Sequence, residues 1–280
     1  MASVFVTGAT GYIGGVVCEK LLAAGHDVSG LARSDAAARK LVDAGVRPHR
    51  GDLADADSLA AGCGSAEGVV HAAADRGPEF GARDRAAVET MIGALAGSDK
   101  PLVYTSGTWV MGSTGGRVAG EMFPLKPPPA VAWRPAVERL VLDSTERKVC
   151  GVVIRPAMVF GRGGGTAGRL SRHEVPIAGD GENHWSFVHV DDLADLFVLA
   201  IESAPAGSLY VAADGPSVKA RDVAAAAGVT TFLTMDLARE KFGPVADCLV
   251  LDQRIGSTRA GRELGWKPSR PSVLDEIRRG

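Results

Sequence analysis

Between the apolar run Val4-Phe5-Val6 and a helical pattern, the chain spaces three glycines at Gly8, Gly11 and Gly14, in the stretch FVTGATGYIGG at 5–15. Val16, Val17, Leu21 and Leu22 form the apolar stripe of that helix, and Gly25 ends it. A strand that turns through spaced glycines straight into a helix opens a βαβ unit, and few other arrangements accept the pattern. Without side chains the turn lets backbone N–H groups approach an anion, and the helix N-terminus adds partial positive charge. Gly8, Thr10, Gly11, Tyr12, Ile13 and Gly14 are therefore the candidate cradle for a pyrophosphate.

Further apolar runs, HDVSGLA, GVVHAAA, PLVYTS, GVVIRPAMVF and SLYVAA, alternate with helix-like stretches such as AVERLVLDSTER. Strands that are apolar without alternation sit in a sheet covered on both faces. The expected fold is α/β, a Rossmann-type doubly wound parallel sheet with a small C-terminal substrate-binding region. Residues 1–155 are expected to form the core, rejoined by about 186–212, with 156–185 and 213–280 making the smaller region. The glycine- and proline-rich stretches 112–129 and 161–169 read as mobile loops covering a site.

The 31 basic and 33 acidic residues are mixed along the 280-residue chain. With no basic face, neither nucleic acid nor a membrane is an expected partner, and a small molecule is. Cys18, Cys63, Cys150 and Cys248 lie too far apart for a close-spaced metal site or a compact disulfide framework, so no metal is expected. The N-terminus enters a strand at once and no apolar stretch reaches membrane length, which places the chain in the cytoplasm by expectation.

The second strand ends in Arg33 and Ser34, where a fold selective for NAD places an acid. A cation and a hydroxyl suit a 2′-phosphate instead, so NADP(H) is expected over NAD(H); the alternative for Arg33 is a plain solvated charge. In GDLAD, Asp52 and Leu53 follow a short β segment, and in GVVHAAA the small Ala72 and Ala73 let a flat ring or a sugar lie against backbone.

These stretches, with YTSG at 104–107, RPAMVFG at 155–161, FVHVDDLADLFVLAIE at 187–202 and LGWKP at 264–268, resemble the extended short-chain dehydrogenase/reductases of the NAD(P)-dependent epimerase/dehydratase family. The resemblance implies a cofactor across the strand ends, with Ser106, Arg134, Pro156 and Val159 joining the residues above, and a homodimer formed through helices flanking the sheet. It also implies a Ser/Thr after the fourth strand and a Tyr-x-x-x-Lys pair whose phenol exchanges a proton with substrate.

Anchored on ERLVL at 138–142, the tyrosine position falls on Ala130 and the lysine position on Arg134, whose guanidinium does not relay protons. Pro135 fits the first turn of a helix, so the helix is expected to start later than in the family. The serine position falls on Gly107, beside Ser106 and Thr108. Where nucleotide-sugar members carry an arginine for the diphosphate, this chain has Trp185.

Candidate substitutes for proton transfer are His184, Thr108 and Asp75, with Arg134 beside the ribose; Trp109, Met111 and Trp185 are the candidate substrate contacts. His189 in FVHVDD is structural by resemblance. The favoured reading is an NADP(H)-dependent oxidoreductase for a carbonyl or alcohol group of a small non-nucleotide substrate. Its alternatives are a redox-neutral isomerase, lyase or dehydratase on the same scaffold, and a non-catalytic NADP(H) sensor.

Overall fold

The computed structural model describes every residue except Asp75, Arg76, Pro78 and Gly280. The chain forms two compact units, one of Met1–Ser106, Ala136–Ile154 and Ala194–Leu209, the other of Gly107–Pro135, Arg155–Leu193 and Tyr210–Gly280.

The first unit is built on a seven-stranded parallel sheet. Its strands are β1 Ser3–Thr7, β2 Asp27–Ala32, β3 Arg47–Arg50, β4 Gly68–His71, β5 Pro101–Thr105, β6 Cys150–Pro156 and β7 Ser208–Ala212. The spatial order β7-β6-β5-β4-β1-β2-β3 reverses direction between β1 and β4, the place where doubly wound sheets open a crevice at their strand ends. Val4 lies opposite Val28 on one side and Gly68 on the other. Val4, Phe5, Val6, Val69, Val70, Leu102 and Val103 are wholly buried, as strands covered on both faces require. The polar β3 sits at the sheet edge, where Pro48 can be tolerated without an N–H to donate.

Helices α1 Tyr12–Ala23, α2 Asp35–Asp43, α3 Ala56–Gly64 and α4 Phe80–Leu95 follow β1 to β4 in turn. Helix α5, Arg134–Asp143, begins with Pro135 in its first turn, where the missing N–H costs nothing.

The apolar run GVVIRPAMVF is not one strand. It breaks at Pro156, and Met158–Gly161 pairs in parallel with Phe187–His189 in the second unit. There the stretch read as a loop at 161–169 turns into helix α6, Gly165–Ser171. Gly165 has φ +68, and a Cβ at Gly168 would lie 2.1 Å from the Gly163 carbonyl oxygen, so these glycines serve a tight entry into a helix. The stretch 112–129 likewise contributes a short strand, Val118–Ala119, paired with Arg254–Ile255. Phe160, Phe187, Trp185, Leu170 and Val223 share this unit's core.

The four cysteines are free. Burial pushes the thiols of Cys18 and Cys63 in the first unit, and Cys248 in the second, up to about 12. No helix among the described residues is long and apolar enough to cross a membrane.

Candidate active site

The turn after β1 is shaped by what its glycines exclude. Gly8 has φ +72, and a Cβ there would lie 2.6 Å from the Ala72 carbonyl group, so the turn is pressed against the end of β4. A Cβ at Gly14 would lie 2.2 Å from the Gly8 oxygen, which brings α1 directly onto the turn. Gly11 differs: it is the N-cap of α1 with φ −83, open to any residue, and its Cβ position meets only the Gly8 oxygen, at 3.0 Å. Gly11 N–H donates to the Gly8 carbonyl (2.8 Å). Thr10 and Ile13 are half-buried, Tyr12 is 36% exposed, and the Thr10 carbonyl accepts from Lys40 Nζ (3.3 Å).

At the end of β2, Arg33 is exposed and Ser34 caps α2, its hydroxyl accepting from Ala37 N–H (3.1 Å). Asp35 is paired with Arg50 (2.6 Å). After β3, the Asp52 carboxylate accepts from Ala54 N–H (3.0 Å) and closes the turn that holds Leu53. Ala72 and Ala73 follow β4, half-buried. Asp75 and Arg76 lie outside the described residues.

Behind the turn stands a buried polar network that no local pattern announces. Asp84 on α4 accepts from Tyr104 Oη (2.8 Å) and lies 3.1 Å from His71 Nε2, while His71 Nδ1 lies 2.5 Å from Thr7 Oγ1. A carboxylate at Nε2 assigns the proton there, leaving Nδ1 to accept from the threonine hydroxyl.

Ser106 is buried and its hydroxyl donates to Glu138 on α5, a partner 32 residues away. The chain has no tyrosine between Tyr104 and Tyr210. Tyr104 is committed to Asp84, and Tyr210 Oη donates to Glu263 (3.0 Å). Ala130 lies in a single 3-10 turn, Pro129–Val131, and Arg134 stacks its guanidinium 4.6 Å from the Trp133 ring centre. Pro156 is buried at the end of β6, and the half-buried Val159 pairs with Val188.

Three of the candidate site residues are held by partners or packed in the core of the second unit. His184, a candidate for proton transfer, has Nδ1 2.8 Å from Asp252 Oδ1 and Nε2 3.4 Å from Arg254, so both ring nitrogens are engaged. Burial alone would raise Asp252, but the His184 backbone and ring and the nearby Arg254 hold its carboxyl below the ordinary range. Thr108 is buried, its hydroxyl donating to Gln253 Oε1 (3.4 Å) while Gln253 Nε2 donates back to the Thr108 carbonyl (2.8 Å). Met111 is 1% exposed and packs as core in the 3-10 turn Thr108–Met111 rather than facing a cavity.

Trp109 and Trp185 do meet at a cavity of about 200 Å³ in the second unit, with Leu170, Phe242 and Leu249. Trp185 is 4% exposed, and its Nε1 donates to the Leu249 carbonyl (2.8 Å), which fixes the indole. Arg162, one of two cations in the glycine-rich stretch, is clamped by Asp191 through both Nε (3.0 Å) and a terminal nitrogen (2.5 Å). That pairing holds the Asp191 carboxyl below its usual range.

Asp214 in the same unit has the opposite shift. Burial pushes it up to about 7, against the pull of the His189 N–H it accepts (2.6 Å) and with a push from Asp192. The unfolded chain releases this proton near 3.8 and the folded one near 7, so stability is greatest below the lower value and falls as pH rises between them. The melting temperature is therefore expected to decline across that window by several degrees, and Asp214→Asn to flatten the decline. Parallel melting curves of the two proteins over pH check this; identical slopes would refute it.

A parallel sheet reversing order beside a glycine turn and a capped α1 defines a Rossmann-type α/β protein. Residues 4–213 match the model described as NAD dependent epimerase/dehydratase family, and the chain belongs to that family. It is 32% identical to the uncharacterized protein C2A9.02 of Schizosaccharomyces pombe, over 98% of this chain and 97% of that one. It is 31% identical to a 3-diazoavenalumate denitrifying reductase of a Streptomyces species, over 99% of each. Among solved structures, UDP-glucose 4-epimerase of Thermus thermophilus in complex with NAD superimposes with a TM-score of 0.77, covering 99% of each chain at 23% identity.

Proposed function

We propose that this chain is an NADP(H)-dependent oxidoreductase acting on a carbonyl or alcohol group of a small non-nucleotide substrate, through a site without the Tyr-x-x-x-Lys pair. The observation that carries the reading is the Gly8, Gly11 and Gly14 turn, followed at the end of β2 by an exposed guanidinium, Arg33, where an acid would favour NAD. The cradle fits the group: its floor is backbone, with the Cβ positions of Gly8 and Gly14 already filled by neighbouring main chain.

When bound, the dinucleotide supplies hydride transfer. In this reading the turn Gly8–Gly14 holds the pyrophosphate through the N–H groups at the head of α1, those of Tyr12, Ile13 and Gly14, with Thr10 beside them, while Gly11 N–H closes the turn on the Gly8 carbonyl; Arg33 with Ser34 takes the 2′-phosphate. Asp52, Leu53, Ala72 and Ala73 flank the adenosine, and Ser106, Arg134, Pro156 and Val159 serve the nicotinamide half by resemblance. Ala130 offers no phenol, and Arg134 orients without relaying a proton. His184 and Thr108, held by Asp252 and Gln253, keep the roles of candidate proton donors only if those bonds open; otherwise solvent supplies the proton. Losing a fixed acid costs about 10²–10⁴-fold in rate, which slows hydride transfer without abolishing it. A reductase name on a relative of nearly equal length supports a substrate that is not a nucleotide sugar.

NADPH is expected to bind at least about tenfold more tightly than NADH, and Arg33→Ala to erase that difference with little effect on NADH. Calorimetric titration of both nucleotides into both proteins tests it. Equal affinities in the unaltered protein would remove the NADP(H) assignment.

A further inference from the structure

The cavity of the second unit is poor in hydrogen-bonding side chains. Among the described residues that line it, Trp109, Trp185, Phe242 and Leu170 supply apolar walls, Thr166 one hydroxyl, and Arg169 the single charge. Trp185 Nε1 is already committed to the Leu249 carbonyl, so that indole presents only carbon surface. A sugar ring would bury several hydroxyl groups here with little to meet them, each at a cost. A flat ring meets aromatic faces and edges instead, the arrangement such side chains favour.

Arg169 sets the other half of the specificity. It is half exposed, so its charge remains hydrated until a ligand arrives. Glu174, the nearby carboxylate, gives its short contact to Arg172 (2.6 Å) and stands 3.9 Å from Arg169, leaving the Arg169 guanidinium able to form a two-pronged bond to another acid. One cation matches one carboxylate; a diphosphate would leave charge unmatched.

We infer that this cavity binds an aromatic carboxylic acid, its ring between Trp109 and Trp185 and its carboxylate on Arg169. The inference rests on the reductase reading above and names the substrate class for it. The test uses trans-cinnamate and its uncharged amide, cinnamamide, titrated into the full-length protein by calorimetry and by quenching of tryptophan fluorescence. Cinnamate should bind at least about tenfold more tightly than the amide. Arg169→Gln should erase that preference, with an unchanged circular dichroism spectrum, and Trp109→Leu should weaken both ligands. Equal affinity for acid and amide, absence of binding by either, or displacement of cinnamate by UDP-glucose overturns the inference. NADPH is titrated in parallel: its failure to bind while cinnamate is still preferred defeats the cofactor assignment alone and upholds the cavity's selectivity.

Discussion

Alanine at Gly11 is expected to weaken NADPH binding by about 100-fold or more, near 2.7 kcal/mol, while the folded protein keeps its circular dichroism and its melting temperature. The contrast among the three glycines makes this the informative position. Gly8 holds a positive φ and abuts the Ala72 carbonyl, and a Cβ at Gly14 would collide with the Gly8 oxygen, so substitution at either distorts the turn itself. Gly11 has an ordinary extended backbone at the head of α1 and one contact at 3.0 Å, to the Gly8 oxygen, so a methyl group asks that oxygen to give way by a few tenths of an ångström, far less than at Gly8 or Gly14. In the proposed reading Gly11 stands at the helix N-terminus where the pyrophosphate binds, so the shift that the methyl group forces acts on the nucleotide. Fluorescence titration with NADPH, paired with thermal melting, decides the matter. A folded Gly11→Ala protein that binds as before would make the loop a turn and no more.

Removing the carboxylate of Asp84 is expected to cost about 2–5 kcal/mol, because Tyr104 Oη and His71 Nε2 would be left buried without the acceptor they share, at about 1–3 kcal/mol for each donor. For a chain of this size that corresponds to a fall of roughly 10 °C in melting temperature. Asp84→Asn keeps an acceptor for Tyr104 and should lose less. The damage should reach the nucleotide turn as well, since Thr7 immediately precedes Gly8 and His71 immediately precedes Ala72, the two backbones that press together there. Urea unfolding of wild type, Asp84→Ala and Asp84→Asn measures the order. A loss below about 1 kcal/mol in the alanine variant would mean the pocket rehydrates and the network is dispensable.

What was legible in the sequence was local. The glycine turn, α1 and its end at Gly25 are encoded within twenty-odd consecutive residues, and Gly25 indeed adopts φ +85 with its N–H on the Leu22 carbonyl. The break of GVVIRPAMVF at Pro156 and the helix inside the glycine-rich 161–169 were less visible, because pairing with Phe187–His189 and the close approach of Gly168 to Gly163 are tertiary choices. Site chemistry was least legible. His184 meets Asp252 across 68 positions, Thr108 meets Gln253 across 145, and Ser106 meets Glu138 across 32, so hydroxyl and imidazole groups that look available in the sequence are already taken. Of the residues lining the cavity, Trp185 stands out in the sequence because it occupies the position of the family's arginine; Phe242 and Leu249, beyond the matched motifs, carry no such signal.

The cysteines give the two units separate built-in clocks. A thiol whose proton is held that firmly, and whose sulfur is shut away, does not react with an alkylating reagent from the closed fold. Modification of Cys18 or Cys63 thus counts openings of the first unit, and modification of Cys248 counts openings of the second. Mass spectrometry of pulse-labelled protein separates the three sites by peptide. Adding NADPH or cinnamate then reports which unit each ligand quiets, with no tag or substitution introduced into the chain.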